Sequence, residues 1–494
     1  MDLNAHIDNL LSAFEGSGEV RTRFAVSPTG FMHVGGARSA LYDFLYARKH
    51  GGKFVLRIED TDKEREVEGA IGNLMEALKW LGIAWDEGTD VGGPHEPYIQ
   101  SQRLPLYKKY AEQLLEAGHA YPDPYTEADV EHFRAQAEAE KRPFLFREHR
   151  PETVQEWNGI SPLRFKVPEI KRYAWKDAVM GELSAGEEAL DDFVLIKADG
   201  YPTYNFAHVV DDIDMRITHV MRGQEFIAST PKYLSLYDAL DQKPPVFASL
   251  PPILNSTGNK KLSKRDGAKG ILEYRDEGYL PEAMLNFLAL LGWHPSGDEE
   301  VLAMDDLVRE FSLERVQRSG AQFDEQKLLH LNREHMRRLS PDEFIARGEL
   351  SASDPERLRR TIPILLERAR TFGEARQMLA DELGYLFVAP TLNRESLVSK
   401  APQQDPTEAT KRHREAVLGR IEALEEVPEA GAAKATLMPY ADEVPKEEGG
   451  RGAVLWPLRY ALSGAERSPD PFSLIHILGK SEALSRIRAA IAIL

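Results

Sequence analysis

Ser27-Pro28-Thr29-Gly30-Phe31-Met32-His33-Val34-Gly35-Gly36 separates two regular patterns, and its placement decides the fold. Before it, Thr22-Arg23-Phe24-Ala25-Val26 has the content of a strand. After it, Gly35-Gly36 opens a helix that runs through Ala40, Leu41, Phe44 and Leu45. Glycine lets a backbone approach a phosphate closely, and a helix N-terminus offers free N–H donors with partial positive charge. A histidine at that point can donate to an α-phosphate whose charge grows in a transition state. Alone, His-x-Gly is equally an ordinary turn beside a surface histidine. The strand before it and the helix after it favour the nucleotide reading.

Working outward, Gly51-Gly52 closes the helix and Lys53-Phe54-Val55-Leu56-Arg57-Ile58 reads as a second strand. Leu74, Leu78 and Leu81 then mark a helix over about 69–81. Strand, loop, helix, strand, helix is the rhythm of a parallel doubly wound sheet. Residues 101–202 break it with mixed helices and short strands such as Leu163-Arg164-Phe165-Lys166-Val167, and read as an insertion. A strand-rich α/β portion resumes near Tyr201-Pro202-Thr203-Tyr204. Beyond about 337 charged helical patterns dominate, interrupted by a Pro/Gln-rich joint at Ala401-Pro402-Gln403-Gln404-Asp405-Pro406.

The chain has 494 residues, more than one core holds, and divides into several units. It has no cysteine, which removes disulfides, thiolate zinc sites and thiol nucleophiles and fits a reducing cytoplasmic compartment. No stretch reaches the roughly 20 apolar residues that span a bilayer, and Met1-Asp2-Leu3-Asn4-Ala5-His6 lacks a signal-peptide pattern. The net charge of −18 leaves room for a nucleic-acid partner, because phosphate contacts depend on local clusters of Lys and Arg.

One such cluster is Lys260-Lys261-Leu262-Ser263-Lys264-Arg265-Asp266-Gly267. Four cations in six residues repel one another unless an anion neutralises them, and a triphosphate would do so. Alone, the segment is also a solvated basic loop or a general RNA contact. His33-Val34-Gly35-Gly36 and Lys261-Leu262-Ser263-Lys264-Arg265 resemble the two signatures of class I aminoacyl-tRNA synthetases, in order and separation. Arg57-Ile58-Glu59-Asp60-Thr61-Asp62, Asp199 to Ala207, Val209-Val210-Asp211-Asp212, Thr218 to Gly223, Gly278 to Ala283 and Leu290 to Trp293 resemble the glutamyl branch. So do Leu455 to Arg459 and Ser468 to Pro471 near the C-terminus.

The resemblance implies an α/β fold: a Rossmann-like parallel sheet split by an acceptor-end-binding insertion, followed by an all-α anticodon-binding region. It divides the chain into an extension (1–19), first catalytic half (20–100), insertion (101–202) and second catalytic half (203–260). A stem-contact region (261–336) and two helical anticodon subdomains (337–400 and 401–494) follow. It also implies that Arg23 and the Tyr204 hydroxyl hold the glutamate side-chain carboxylate, Glu59 the α-ammonium and Arg222 the α-carboxylate, with Ala25 and Ser27 lining the pocket. Planar two-pronged recognition of a carboxylate favours Arg. His208 either contacts the α-carboxylate or packs. His33, Lys261 and Lys264 would neutralise charge during adenylate formation. Gly35, Gly36, Glu225, Phe226, the Leu254 backbone and Lys264 would hold ATP. The Asp60 and Asp62 side chains read as structural caps.

The implied partners are tRNA(Glu), L-glutamate and ATP with Mg2+, acting on a cytoplasmic monomer without a membrane. His119, His132 and His149 lack ligand spacing, so no structural zinc is expected. Arg357, Arg359, Arg360, Arg368 and Arg370 form a candidate RNA face, or else a solvated helix surface. A glutaminyl enzyme would carry β-barrels in place of the helical half. A small nucleotidyltransferase with the same His-x-Gly signature would have no use for that half, and a bare RNA-binding module would not need Arg23 and Glu59 beside a nucleotide loop.

Overall fold

The computed structural model describes residues 18–258, 260–262, 269–398 and 405–494. Residues 1–17 of the expected extension, Lys264 and Arg265 of the basic loop, and 401–404 of the expected joint lie outside the described residues.

Strand β1 (Arg21–Val26), helix α1 (Val34–Lys49) and strand β2 (Lys53–Ile58) form a βαβ unit. The strands pair in parallel, from Arg21↔Lys53 to Val26↔Ile58. Phe54, Val55, Leu56 and Ile58 are all buried, the pattern of a parallel strand covered on both faces. Helix α2 (Ala70–Trp80) follows.

The chain then leaves the parallel layer. Helices α3 (Leu104–Glu116) and α4 (Glu127–Ala139) accompany an antiparallel sheet of β3 (Ala120–Pro122), β4 (Leu163–Phe165) and a strand at Val194–Ile196. Between β4 and that strand, β5 (Tyr173–Asp177) and β6 (Gly181–Ala185) make a hairpin; Val194–Ile196 is therefore β7.

Helix α5 (Tyr204–Asp214), strand β8 (His219–Gly223), helix α6 (Thr230–Ala239) and strand β9 (Val246–Leu250) form the second βαβ unit, with β8 and β9 parallel. The sequence opens this portion near Tyr201–Tyr204 as strand-rich, yet Tyr204 begins a helix. Phe206, Ala207, Val209 and Val210 are buried at helical spacing. Thr218 joins the two parallel pairs: its N–H donates to the Arg21 carbonyl at 2.9 Å, and its hydroxyl accepts from the Arg21 N–H at 2.8 Å. From β1 the chain crosses to β2, and from β8 to β9 on the other side. The β1/β8 junction is therefore a topological switch point, where the carboxyl ends of strands leave a crevice. A third parallel pair, β10 (Ile253–Leu254) with β11 (Ala321–Gln322), lies farther along.

One apolar cluster runs from Val55 through Phe165 and Trp175 to Phe206 and Phe247. The insertion therefore shares its core with the parallel strands. Asp177 reinforces this at the β5–β6 turn, where its carboxylate accepts from the Ser249 N–H at 3.0 and 3.1 Å.

The chain divides into two compact units, Met1–Arg275 with Pro281–Leu331, and Asp276–Leu280 with Asn332–Leu494. Among the described residues the second unit is helical without strands. Its core is tied by Arg414, whose guanidinium donates to the carbonyls of Leu397 at 2.7 Å, Pro457 at 3.3 Å and Ala490 at 3.4 Å. With carbonyls and no carboxylate around it, burial lowers the Arg414 pKa to about 10.

Candidate active site

The crevice begins where β1 ends. His33 is the N-cap of α1, with extended backbone (φ −112°, ψ 169°). Its Nδ1 accepts from the Gly35 N–H at 3.0 Å and the Gly36 N–H at 3.3 Å. This corrects one expectation: the first donors of the helix are held by the histidine itself rather than left for a phosphate. It also explains the spacing of the signature. A Cβ on Gly35 would stand 2.9 Å from His33 Cε1, so only glycine admits the ring over the helix end. A nitrogen that accepts carries no proton, so the neutral ring bears its hydrogen on Nε2 and is a donor there.

A cleft of about 490 Å³ lies at this end, bordered by His33, Gly35, Gly36, Glu225 and Lys261. Lys261 donates to Glu225 at 3.2 Å, both side chains largely exposed. Such pairs are weak and screened, so a triphosphate can displace this one at small cost. Two residues expected at ATP sit otherwise. Phe226 packs against the Tyr204 ring (5.6 Å) and below the Arg222 guanidinium (5.2 Å). Leu254 is in β10, where its carbonyl accepts from the Phe323 N–H at 3.0 Å, and it does not border the cleft.

Because His33 both caps α1 and borders the cleft, two substitutions separate the roles. His33→Ala is expected to lose about 1 kcal/mol of stability, whereas His33→Asn keeps a good cap and most of that stability. Both should slow adenylate formation more than about tenfold, since neither restores an imidazole Nε2–H. Thermal unfolding beside pyrophosphate exchange checks this, and equal activity of His33→Asn and wild type would count against the catalytic role.

Next to the cleft lies a buried charge network that sequence reasoning found only in part. Arg23, on β1, donates from Nε to Asp212 at 3.2 Å and from Nη1 to the Met221 carbonyl at 3.3 Å; neither bond uses Nη2. Arg57, on β2, donates to Asp212 at 2.7 Å and to Glu59 Oε1 at 2.9 and 3.3 Å. Gln100 also reaches Glu59 Oε1, at 3.4 Å, so these bonds leave Oε2 out. Asp211 accepts from Arg103, Tyr107 and Gln100 at 2.8–3.0 Å. Arg57, Gln100, Arg103, Tyr107, Asp211 and Asp212 had no role assigned from sequence. Adjacent acids, Asp211 and Asp212, directly after the buried Val209 and Val210 were the available signal.

Electrostatics sort these carboxylates. Burial pushes Glu59 above its ordinary range against the pull of Arg57. Burial also opposes ionisation of Asp212, but Arg23 and Arg57 together outweigh it and hold that group below its ordinary value. Arg222 is different. It has no carboxylate partner among the described residues, and its Nη2 is buried without a hydrogen-bond partner. Its guanidinium lies over Tyr233 (4.6 Å) and Phe247 (5.2 Å), and its Nη1 is 3.4 Å from His208 Nε2. A buried cation in an aromatic box with a nitrogen unsatisfied is chemically suited to pairing with an anion. Tyr204 lies among these groups: burial and then Glu59 push its phenol up, while Arg222 and Arg23 act the other way, so it stays an O–H donor. Ala25 is half-buried at the end of β1, and Ser27 is exposed in the turn where its carbonyl accepts from the Thr29 N–H.

Asp60 accepts from Lys63 at 2.7 Å and from the Ser101 N–H at 2.8 Å, and Asp62 pairs with Arg65. In the second unit the five arginines of the candidate RNA face all have internal partners. Arg357 bonds Leu386 and Asp354, Arg359 bonds Asp342 and Glu356, Arg360 bonds the Ile477 carbonyl, Arg368 bonds Glu382 and Arg370 bonds Glu374. Arg359, Arg368 and Arg370 form exposed pairs of the weak, screened kind and Arg360 has only a carbonyl, so these contacts do not cancel the charge of the face. Among the described residues no group of three or more His, Asp or Glu is placed to hold a metal ion, and no helix is long and apolar enough to cross a membrane.

A doubly wound parallel sheet with a capped His-x-Gly helix at its switch point, joined to a helical unit, defines a class I aminoacyl-tRNA synthetase. The family model for tRNA synthetases class I (E and Q), catalytic domain, matches residues 19–330, and that for the anticodon binding domain matches 327–491. Their overlap falls within Glu325–Arg337, the helix in which the two compact units divide. The chain is 41% identical over 485 residues to the glutamate–tRNA ligase of Anaeromyxobacter sp., covering 96% of this chain and 99% of that one. It is 40% identical over 488 residues to glutamate–tRNA ligase 2 of Rubrobacter xylanophilus, covering 96% and 97%. The crystal structure of a glutamate tRNA ligase from Elizabethkingia meningosepticum, in complex with its amino acid, superposes with a TM-score of 0.82 at 35% identity, covering 96% of this chain and 99% of that one. The chain belongs to the glutamate–tRNA ligase family.

Proposed function

We propose that this chain activates L-glutamate with ATP and transfers it to the 3′-terminal adenosine of tRNA(Glu), releasing AMP and pyrophosphate. The observation that carries the site assignment is the company of Tyr204, whose hydroxyl feels Glu59, Arg222 and Arg23 together. Glutamate has one ammonium and two carboxylates, and Arg222 offers a buried guanidinium whose Nη2 has no partner, while neither bond of Arg23 uses its Nη2 and those of Glu59 leave out its Oε2. Arg23 with Tyr204 takes the side-chain carboxylate, Arg222 the α-carboxylate and Glu59 the ammonium. A donor-only guanidinium disfavours the glutamine amide, which presents an NH2 where a carboxylate presents oxygen.

In the first step the glutamate α-carboxylate attacks the α-phosphorus of MgATP, whose ion is held mainly by phosphates and water. His33 donates from Nε2 toward the α-phosphate, and Lys261, released from Glu225, follows the departing pyrophosphate. In the second step the 2′-hydroxyl of the terminal adenosine attacks the activated carbonyl. No covalent enzyme intermediate is required; the residues position the reactants and neutralise developing charge. The insertion holds the acceptor end, and the helical unit reads the anticodon by stacking and hydrogen bonds to unpaired bases. The enzyme works as a monomer in the cytoplasm, to which its lack of cysteine is suited.

Pyrophosphate exchange with glutamate, glutamine and aspartate, each with and without tRNA, tests the assignment. Exchange is expected with glutamate once tRNA is present. Exchange with glutamine but not glutamate would overturn it. Lys264→Ala should slow adenylate formation by more than about tenfold, or 1.4 kcal/mol of barrier; a near-normal rate removes Lys264 from the mechanism.

A further inference from the structure

We propose that His208 is a positioning residue for Arg222: its Nε2 lone pair accepts from the guanidinium and aims it, and the ring does not touch the amino acid. The proposal rests on the reading that Arg222 receives the glutamate α-carboxylate.

The proton inventory leads to it. His208 Nδ1 is 2.8 Å from the Tyr204 carbonyl, one turn back on α5. A carbonyl oxygen has no hydrogen to give, so Nδ1 carries the proton and donates. In the neutral ring Nε2 is then bare. The atom facing it, 3.4 Å away, is Arg222 Nη1, which has only hydrogens to offer. The contact can therefore run one way alone, from guanidinium to imidazole. Contact with a substrate carboxylate would require the reverse polarity, a hydrogen on Nε2 pointing at an oxygen. Burial, with Arg222 adding to it, pushes His208 down to about 3, so the ring stays neutral where the enzyme works.

The surroundings fix the ring and leave Arg222 in need of it. The Tyr204 ring stacks on His208 at 4.8 Å and 13°, and Tyr233 meets it edge-on at 4.4 Å and 84°. His208 is 3% exposed. Around Arg222, the rings of Tyr233, Phe226 and Phe247 hold the cation over their faces, yet a ring face gives little preference about rotation within the guanidinium plane. His208 supplies the directional contact to Nη1, and Nη2 is left without a partner. In this geometry the position supplies Arg222 with an acceptor rather than a charge.

The test is a double-mutant cycle in the full-length enzyme with tRNA, reading glutamate KM, ATP KM and kcat. His208→Leu should raise glutamate KM about tenfold, the scale of a hydrogen bond to a charged group, with kcat and ATP KM little changed. His208→Gln, which offers a carbonyl acceptor, should recover most of that loss. Arg222→Lys should raise glutamate KM on its own, and adding His208→Leu to it should raise KM no further, because His208 acts through the guanidinium. If Arg222→Lys leaves glutamate KM at the wild-type value, the reading of Arg222 fails. If Arg222→Lys raises it but His208→Leu does not, or the two effects multiply, or Gln rescues no better than Leu, the positioning role alone is overturned.

Discussion

Replacing Arg23 by Met is expected to lower kcat/KM for glutamate about a thousandfold while leaving the KM for ATP unchanged. The magnitude follows from burial. Arg23 is 4% exposed, so a carboxylate bound to it is cut off from water, and losing the partner of such a charge costs several kcal/mol. The direction follows from the bonds. Asp212 and the Met221 carbonyl fix Nε and Nη1, and Nη2 takes part in neither contact. Two anchored corners and one available edge make a planar, preorganised receptor for a carboxylate, which a thioether cannot imitate. The fold should suffer less, because Asp212 keeps its 2.7 Å bond to Arg57. Steady-state kinetics with glutamate and glutamine check the first claim and urea unfolding the second. A variant within tenfold of wild type for glutamate would remove Arg23 from substrate recognition.

The contrast between Arg23 and Arg57 shows how far a sequence reaches. The strands, helices and switch-point motif are local patterns, and β1, α1 and β2 lie within two residues of where periodicity puts them. Signature residues are legible because glycine and histidine at fixed spacing meet a local demand, seen in the cap that His33 makes over Gly35 and Gly36. The network behind the pocket is not local. Arg57 and Asp212 are 155 positions apart, and Arg103 reaches Asp211 across 108. Nothing in the stretch around Gln100 announces that it ends beside Glu59. Long-range pairing also explains the misplaced side chains. An aromatic after Gly223 could face either neighbour, and only the packing of Tyr204 and Arg222 turns Phe226 toward those two residues. Among the acidic partners of the arginines of 357–370, those at 342 and 382 lie on other helices and are invisible in one dimension, whereas Asp354, Glu356 and Glu374 are only three or four residues away.

Asp212 is where that network is most exposed to a single substitution. Asp212→Ala is expected to destabilise the protein by about 3–5 kcal/mol at pH 7, because it leaves buried cations without their counter-charge. Arg57 would still hold Glu59, but Arg23 would keep only the Met221 carbonyl. Asp211, whose Oδ2 lies 3.6 Å from Arg57 Nε, would keep part of the balance of Arg57, but its bonds run to Arg103, Tyr107 and Gln100 and not to Arg23. Asp43 is the remaining nearby acid; it is fully buried, both its oxygens lack partners, and burial pushes its carboxyl well above the ordinary range. To relieve Arg23 it would have to ionise in an apolar setting, so the relief is small. The acid limb gives an independent check. The folded-state pKa of Asp212 is depressed, so its contribution is present above the unfolded value near 3.9 and is lost as pH falls through the folded value. The gap between wild type and Asp212→Ala should therefore persist at neutral pH and narrow as pH falls below about 4. Glutamate KM should rise with it, since Arg23 loses the bond that fixes Nε, while ATP KM stays put. A gap below about 1 kcal/mol at pH 7 would mean that these guanidiniums do not depend on Asp212 for their charge balance.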